Sequence, residues 1–250
     1  MITEERHKKI LELIKIQNTV GVHELTDALN VSESTVRRDL IALSKMGKLK
    51  KVHGGATALT EEGNIFEPDF NTKSLLHIEE KRTIGKYAAQ FIQDSDFVFI
   101  DAGTTTAAMI DFIPERTQAT FVTNGIAHAK KLLQMGFKAY IVGGRIKLTT
   151  EAVVGAECIN NMRKYNFTKA FIGTNGIDLS FGFTTPDVEE ALVKAEAVGR
   201  AFVTYILSDG SKFEKTSAVT FAELNQCCII TDRAPSGEFK EKTVIKEVML

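Results

Sequence analysis

Apolar residues recur at helical spacing through the first 45 positions, in three separate blocks. Ile10, Leu13, Ile14 and Gln17 keep a period near 3.6, and Leu11 and Ile16 widen the face. Thr3, Glu4 and Glu5 supply a capping hydroxyl and an acidic first turn, so a helix is predicted from Thr3 to about Asn18. Residues 19–22 read as a short extended connector. HELTDALN (23–30) predicts a second helix that buries Leu25, Ala28 and Leu29 and stops at Asn30, which tolerates left-handed backbone. Ser32 then caps a third helix, where Val36, Leu40 and Leu43 fall at i, i+4 and i+7 as one inward stripe. Beyond the expected cap at Gly47 the pattern becomes that of a strand. Leu49 and Val52 face inward, Lys48, Lys50, Lys51 and His53 face outward, and Gly54-Gly55 turns the chain.

Residues 58–78 lose this periodicity and include Gly63 and Pro68. They read equally as a linker, packed in part by Ile65, Phe66 and Phe70, or as an ordered arm. From Glu79 onward helix and strand alternate. Ile84, Tyr87, Ala88, Phe91 and Ile92 mark a helix. Apolar strands are predicted at 97–101, 120–124, 138–144, 169–173, 202–209 and 227–232, and helices near 104–113, 126–135, 155–164 and 186–200. Such alternation implies a mainly parallel sheet covered on both faces. The expected organisation is a mainly α winged helix-turn-helix at 1–57, a linker at 58–78 and a larger α/β domain at 79–250.

Charge sharpens this picture. The whole chain carries a net -1, yet residues 1–57 hold 10 Lys+Arg against 7 Asp+Glu, a net of +3, and the remainder holds 21 against 25, a net of -4. The cations sit where a helix-turn-helix meets a polyanion: Arg37 and Arg38 lie off the apolar stripe at the start of the third helix. Arginine there can bond guanine O6 and N7 or clamp phosphate. Ser32, Ser34, Thr35, Arg37 and Arg38 are the expected groove contacts, and Lys48, Lys50, Lys51 and His53 the wing contacts to the backbone of double-stranded DNA.

In an α/β sheet, ligands bind beyond the carboxyl ends of the strands. The first strand runs into D-A-G-T-T-T (101–106), where Gly103 admits close approach and the amides and hydroxyls of Thr104, Thr105 and Thr106 open a helix. These residues fit a phosphate cradle or an ordinary strand-to-helix turn. Further polar exits carry Thr123 and Asn124, Arg145, Gly176 and Asp178, and Asp209 and Lys212. Five such exits on one edge predict a shared small-molecule pocket. A rival reading makes the domain an isomerase-like enzyme in which Glu189 or Glu190 and Lys194 transfer a proton; its structural alternative is a charged helix face with Glu190 and Lys194 as an i,i+4 pair. Cys158, Cys227, Cys228 and the five histidines lack metal-ligand spacing, so no metal or cofactor is expected. No signal peptide or membrane-spanning run is expected either, and a reduced cytoplasm is the expected compartment.

The stretch VGVHELTDALNVSESTVRRDLIALSKMGKLKKVHGGA, with its TVRRDL core and VHGGA close, resembles the N-terminal signature of DeoR-type bacterial repressors. EKRTIGKYAAQFI, DAGTTT, VTNGIA, GTNGID, GFTTPDVEEALVKA and DGSKF resemble the sensor-domain motifs of the same family, so the likeness spans nearly the whole chain. The sequence departs from the family at SDGSKF, where a doubled serine is frequent. The resemblance implies a sensor similar in fold to ribose-5-phosphate isomerase and CoA-transferase-like proteins, with a phosphorylated sugar as effector and Lys194 beside the other pocket residues. It implies a homo-oligomer, dimer or tetramer. Among such repressors the chain looks nearest to the fructose type, which points to fructose 1-phosphate.

Overall fold

Three helices and three short strands build the N-terminal unit in the computed structural model, which describes residues 3–17, 19–46, 48–52, 54–58, 69–235 and 237–248. They are α1 (Thr3–Gln17), β1 (Thr19–Gly21), α2 (Val22–Leu29), α3 (Glu33–Lys45), β2 (Lys50–Val52) and β3 (Gly55–Thr57). The chain divides at Pro68 and Asp69 into this unit and a larger one. Asn30 ends α2 in the left-handed conformation, with φ 51° and ψ 51°. Ser32 is extended and caps α3, its Oγ accepting the Thr35 amide at 3.4 Å. Ile10, Ile14, Leu25, Leu29, Val36, Leu40, Leu43 and Leu49 form one buried core, whereas Ile16 stays on the surface. The strands form an antiparallel sheet in the order β1-β3-β2, so the expected connector is the third strand of the wing. Gly55 is required there: a Cβ would stand 2.2 Å from the Val20 carbonyl oxygen. Gly47, His53 and the Lys50 side chain lie outside the described residues.

The larger unit is organised by a seven-stranded sheet, all of whose strand pairs are parallel. Its strands are β4 (Phe97–Ile100), β5 (Thr120–Thr123), β6 (Lys138–Ile141), β9 (Phe167–Gly173), β12 (Ala201–Leu207), β14 (Cys228–Thr231) and β15 (Ile245–Glu247), in the order β15-β14-β12-β9-β4-β5-β6. The interposed strands are a hairpin, β7 (Arg145–Lys147) with β8 (Ala152–Val154), and a small antiparallel sheet of β10 (Gly176–Asp178), β11 (Gly182–Thr185) and β13 (Val219–Ala222). Helices are α4 (Phe70–Ser74), α5 (Ile78–Ala89), α6 (Thr104–Ile110), α7 (Ile126–Gln134), α8 (Ala156–Met162), α9 (Val188–Arg200) and α10 (Glu238–Lys242).

Successive strand side chains point to opposite faces, so each central strand feeds two cores. Val98, Ile100, Phe121, Phe171 and Leu207 pack with Ile84, Ala88 and Met109 of α5 and α6. Phe99, Val122, Ala170, Ile172 and Ile206 pack on the other side with Cys158, Val193 and Ala197 of α8 and α9. The predicted strand 138–144 differs from its neighbours: β6 is a short edge strand, with Tyr140 and Ile141 exposed. The antiparallel strands were not predicted, because three- and four-residue strands carry too little periodicity. Within the segment 58–78, Asp69 caps α4 by accepting the Thr72 amide at 2.8 Å, and the Phe70 amide bonds the Thr149 carbonyl at 2.9 Å. Helix α9 starts at Val188 rather than at residue 186, because Asp187 caps it by accepting the Glu190 amide at 2.9 Å. No helix of the described residues is long and apolar enough to cross a membrane.

One polar contact in the small unit escaped the sequence pattern. Asp39 is buried on α3 and receives Arg6 of α1 through two bonds, 2.5 Å and 2.9 Å, with His7 at 3.1 Å. Burial by itself would raise its pKa, but the bonds from Arg6 and His7 outweigh burial and leave it below its ordinary value. A carboxylate held this way stabilises the fold above its unfolded pKa and loses that contribution as pH falls through the lower folded value. Asp39→Asn is expected to destabilise the α1–α3 packing by about 1.5–3 kcal/mol at pH 7. The difference should shrink below about pH 4. Hydrogen exchange of α1 and α3 amides in the full chain, wild type against variant, checks both.

Candidate DNA interface and effector pocket

Helix α3 buries Val36, Asp39, Leu40 and Leu43 and presents the opposite face to solvent. Ser32, Ser34, Arg37 and Arg38 are exposed and Thr35 is half-buried, all within the first two turns. Arg37 touches Glu33 at 3.1 Å and Arg38 donates to the Ser34 carbonyl at 3.3 Å. Both are surface contacts of the kind that exchange readily for a phosphate or a base edge. Lys48 and Lys51 are exposed on the wing. The arrangement has a short helix, a left-handed turn, a capped helix with exposed arginines and a basic hairpin, and it suits insertion of α3 into a major groove.

The sheet order defines the second site. The chain starts at β4, moves outward to β6, then returns to β9 on the other side of β4 and proceeds outward to β15. Strand order therefore reverses between β4 and β9, the position where open α/β sheets leave a crevice at their carboxyl edge. Asp101 leaves β4 there. It is buried, its Oδ2 receiving Lys194 Nζ at 2.5 Å and the Gly173 amide at 3.1 Å, while Lys194 also donates to the Gly173 carbonyl at 2.9 Å. Sequence spacing pairs Lys194 with Glu190. In the fold both are buried and turn apart, Glu190 accepting from Lys147 at 3.0 Å and Thr150 at 2.7 Å. Glu190 and Lys194 therefore form neither the surface pair nor a proton-transfer couple, and the carboxylate that Lys194 meets is Asp101.

Next to Asp101, the loop Gly103-Thr104-Thr105 opens α6. Thr106 Oγ1 is engaged by the Asp101 and Gly103 carbonyls at 2.6 Å and 2.7 Å, which shapes the turn. The hydroxyls of Thr104 and Thr105 have no hydrogen-bond partner among the described residues. Beneath the loop lies His128, which the sequence did not single out. Its Nε2 lies 2.9 Å from the Gly103 carbonyl, so that nitrogen carries the proton. Nδ1 lacks a partner among the described residues and faces Gly125, where a Cβ would come within 2.5 Å. Burial pushes the imidazole down to about 4, so it is neutral near pH 7.

A cationic cluster forms beyond β12. Asp209 caps a short turn by accepting the Ser211 amide at 3.0 Å. Burial would raise its pKa, but the Lys212 charge, the Ser211 bonds and His77 lower it overall. Lys81 of α5 is buried, and burial lowers its pKa to about 8 against the opposing pull of Asp209; the charges of Lys212 and Lys73 add to the lowering. Burial also lowers Lys212. Lys73 and Lys81 were missed because they precede the first sheet strand and look like ordinary helix-surface lysines. The fold holds these like charges close together, which is the electrostatic condition for receiving a compact anion.

Other expected pocket residues serve the frame. Thr123 and Asn124 are buried: Thr123 donates to the Ile100 carbonyl at 2.6 Å, and Asn124 bridges the Ala102 amide at 3.1 Å and the Val153 carbonyl at 3.2 Å. They face inward because adjacent strand exits need their backbone groups bonded. Gly176 packs against the Lys215 carbonyl, and Asp178 caps the β10–β11 turn through the Ser180 and Phe181 amides at 2.8 Å and 3.0 Å. Arg145 stands on the β7–β8 hairpin, exposed and paired with Glu189. Among the described residues no cluster of His, Cys, Asp or Glu could hold a metal ion.

Family models match both units: the DeoR-like helix-turn-helix domain over residues 6–62 and the DeoR C terminal sensor domain over residues 76–233. The chain is 41% identical to the uncharacterized HTH-type transcriptional regulator FruR of Bacillus subtilis (strain 168), with 99% of each chain covered. It is 33% identical to the lactose phosphotransferase system repressor of Staphylococcus aureus (strain NCTC 8325 / PS 47), with 90% of each covered. Among solved structures the likeness is distant and one of fold. Ribose 5-phosphate isomerase A from Methanocaldococcus jannaschii gives a TM-score of 0.40 at 14% identity over 53% of each chain. The full-length relatives are regulators rather than enzymes, and the chain, with its winged head and its α/β sensor, belongs to the DeoR family of DNA-binding transcriptional regulators.

Proposed function

We propose that the protein represses a sugar-catabolism or sugar-transport operon in the cytoplasm and leaves its operator when a phosphorylated sugar binds the carboxyl edge of its sheet. The single observation that carries this reading is the buried Lys81 beside Lys212, Lys73 and Asp209, next to a crevice that also offers free threonine hydroxyls. The lysines suit a phosphate group, while Asp209 and the hydroxyls of Thr104 and Thr105 suit a polyol. Gly103 allows close backbone approach, the Asp101–Lys194 pair shapes the floor, and Arg145, exposed and paired with Glu189, is a further cation on the β7–β8 hairpin. A relative named for a lactose phosphotransferase system supports a phosphorylated sugar. Fructose 1-phosphate is the first candidate, because the sequence resembles the fructose-type regulators. Ser32, Ser34, Thr35, Arg37 and Arg38 contact the operator groove, and Lys48, Lys50, Lys51 and His53 its phosphates. A dimer or tetramer would present two or more heads to repeated half-sites.

Release by a factor of 100 requires the ligand to discriminate between the two states by about 2.7 kcal/mol, within reach of one phosphate and a few hydroxyl contacts. Fluorescence anisotropy on DNA from the protein's own upstream region, titrated with a panel of sugar phosphates, tests the reading; binding unaffected by all of them overturns the effector assignment. In the same assay Arg37→Ala and Arg38→Ala should each weaken operator binding by about 1–3 kcal/mol, roughly 5- to 150-fold. Sugar-phosphate binding should be unchanged. Full operator affinity in both variants would remove α3 from the groove.

Lys81 gives a second readout. With a pKa of about 8 it is half protonated at pH 8, and a phosphate dianion beside it favours the charged form. Binding of fructose 1-phosphate at pH 8 should therefore take up about half a proton. Lys81→Arg, always charged, should take up none. Calorimetry in buffers of different ionisation enthalpy measures the uptake.

A further inference from the structure

The five-residue helix α4 is the first helix of the larger unit, which begins at Asp69. Five residues are far too few to hold a helix alone, and α4 buries none of its side chains fully. Its order depends on its neighbours. Phe70 stands edge-on to the His128 ring at 6.1 Å between centroids, and His128 in turn holds the Gly103 carbonyl and Thr106 of the threonine loop. At the other end, the Lys73 carbonyl receives Lys81 Nζ, the buried cation of the cluster around Asp209. A third tie, the Phe70 amide to the Thr149 carbonyl, reaches the β7–β8 hairpin that carries Arg145. Three independent contacts thus join one marginal helix to three different parts of the pocket.

We propose that α4 is the element through which the pocket controls the head: it is docked or undocked according to what the pocket holds, and undocking adds its own residues to the chain available between sensor and head. This rests on the pocket assigned above. An anion beside Lys81 keeps its ammonium charged and strengthens its hold on the Lys73 carbonyl, so ligand favours the docked form. Release of α4 frees residues 69–76 from the sensor, and these eight residues add up to about 28 Å of reach when extended. That is comparable with the roughly 34 Å between half-sites one helical turn apart. Docking can therefore decide whether paired heads span their operator, with no change in the heads themselves.

Two measurements on the full chain test this. In the first, Phe70→Ala is compared with Leu75→Ala, whose side chain is 71% exposed and serves as control. Phe70→Ala should keep operator affinity and fructose 1-phosphate affinity within about 3-fold of wild type. The ratio of operator Kd with and without fructose 1-phosphate should collapse from about 100-fold towards 1, the coupling being lost while both binding events survive. Phe70→Leu should restore part of it, and Leu75→Ala should behave as wild type. A Phe70→Ala protein that still releases DNA fully would overturn the proposal. The second measurement is amide hydrogen exchange of residues 71–76. Fructose 1-phosphate should slow it several-fold, and Lys212→Ala should alter it without any ligand. Exchange indifferent to both would also overturn the proposal. If Lys212→Ala changes exchange but no sugar phosphate does, the pocket–arm link stands and only the ligand assignment fails.

Discussion

The buried ion pair between Asp101 and Lys194 is the constraint on which the sensor depends. Two charges removed from water are tolerated only when each is closely bonded, and here Asp101 Oδ2 takes both the Lys194 ammonium and the Gly173 amide. The pair joins the exit of β4, the exit of β9 and the middle of α9, elements 72 and 93 residues apart in sequence. Those two exits flank the reversal of strand order. The topology splits the sheet there, and the charge pair fastens the two exits to each other and to α9.

Around that pair polar groups divide into two kinds. Thr106, Thr123, Asn124 and Asp178 spend their hydrogen bonds on neighbouring backbone, which fixes the loops at the strand exits. Thr104 and Thr105 hold no such bond among the described residues, and burial depresses both Lys81 and Lys212, a cost that a bound anion would offset. In the head the division is similar. Asp39 and Arg6 lock α1 to α3, while Arg37 and Arg38, one helical face away, hold only weak surface contacts. In the head, rigid internal bonding thus surrounds a small set of loosely engaged cations, and polyanion recognition needs that combination.

Helix-turn-helix, wing and parallel sheet were all legible in the sequence, because each rests on a local regularity. The i, i+4, i+7 stripe of Val36, Leu40 and Leu43 faces the core, and Arg37 and Arg38 must then face away. The apolar runs FVFI and FIG, bounded by turn residues, are strands buried on both faces. Asn30 and Ser32 announce the turn and cap that the backbone adopts. These features follow from side-chain chemistry over three or four residues, and no distant partner alters them.

What only the tertiary structure decided are the long-range pairings. Nothing near Asp39 in sequence signals Arg6, and nothing near Lys194 signals Asp101; local spacing favoured Glu190 instead. Whether Asn124 faces ligand or neighbouring strand depends on strand β8 (Ala152–Val154) bonding to it through Val153, and the burial of Lys81 depends on α5 meeting β12. Strand order, which decides where the crevice lies, is likewise absent from any single stretch of sequence. Hydrophobic periodicity sets which side of an element faces inward, but a charge or amide finds its partner only once separate elements have been brought together, because its energy depends on distance and burial rather than on neighbours along the chain.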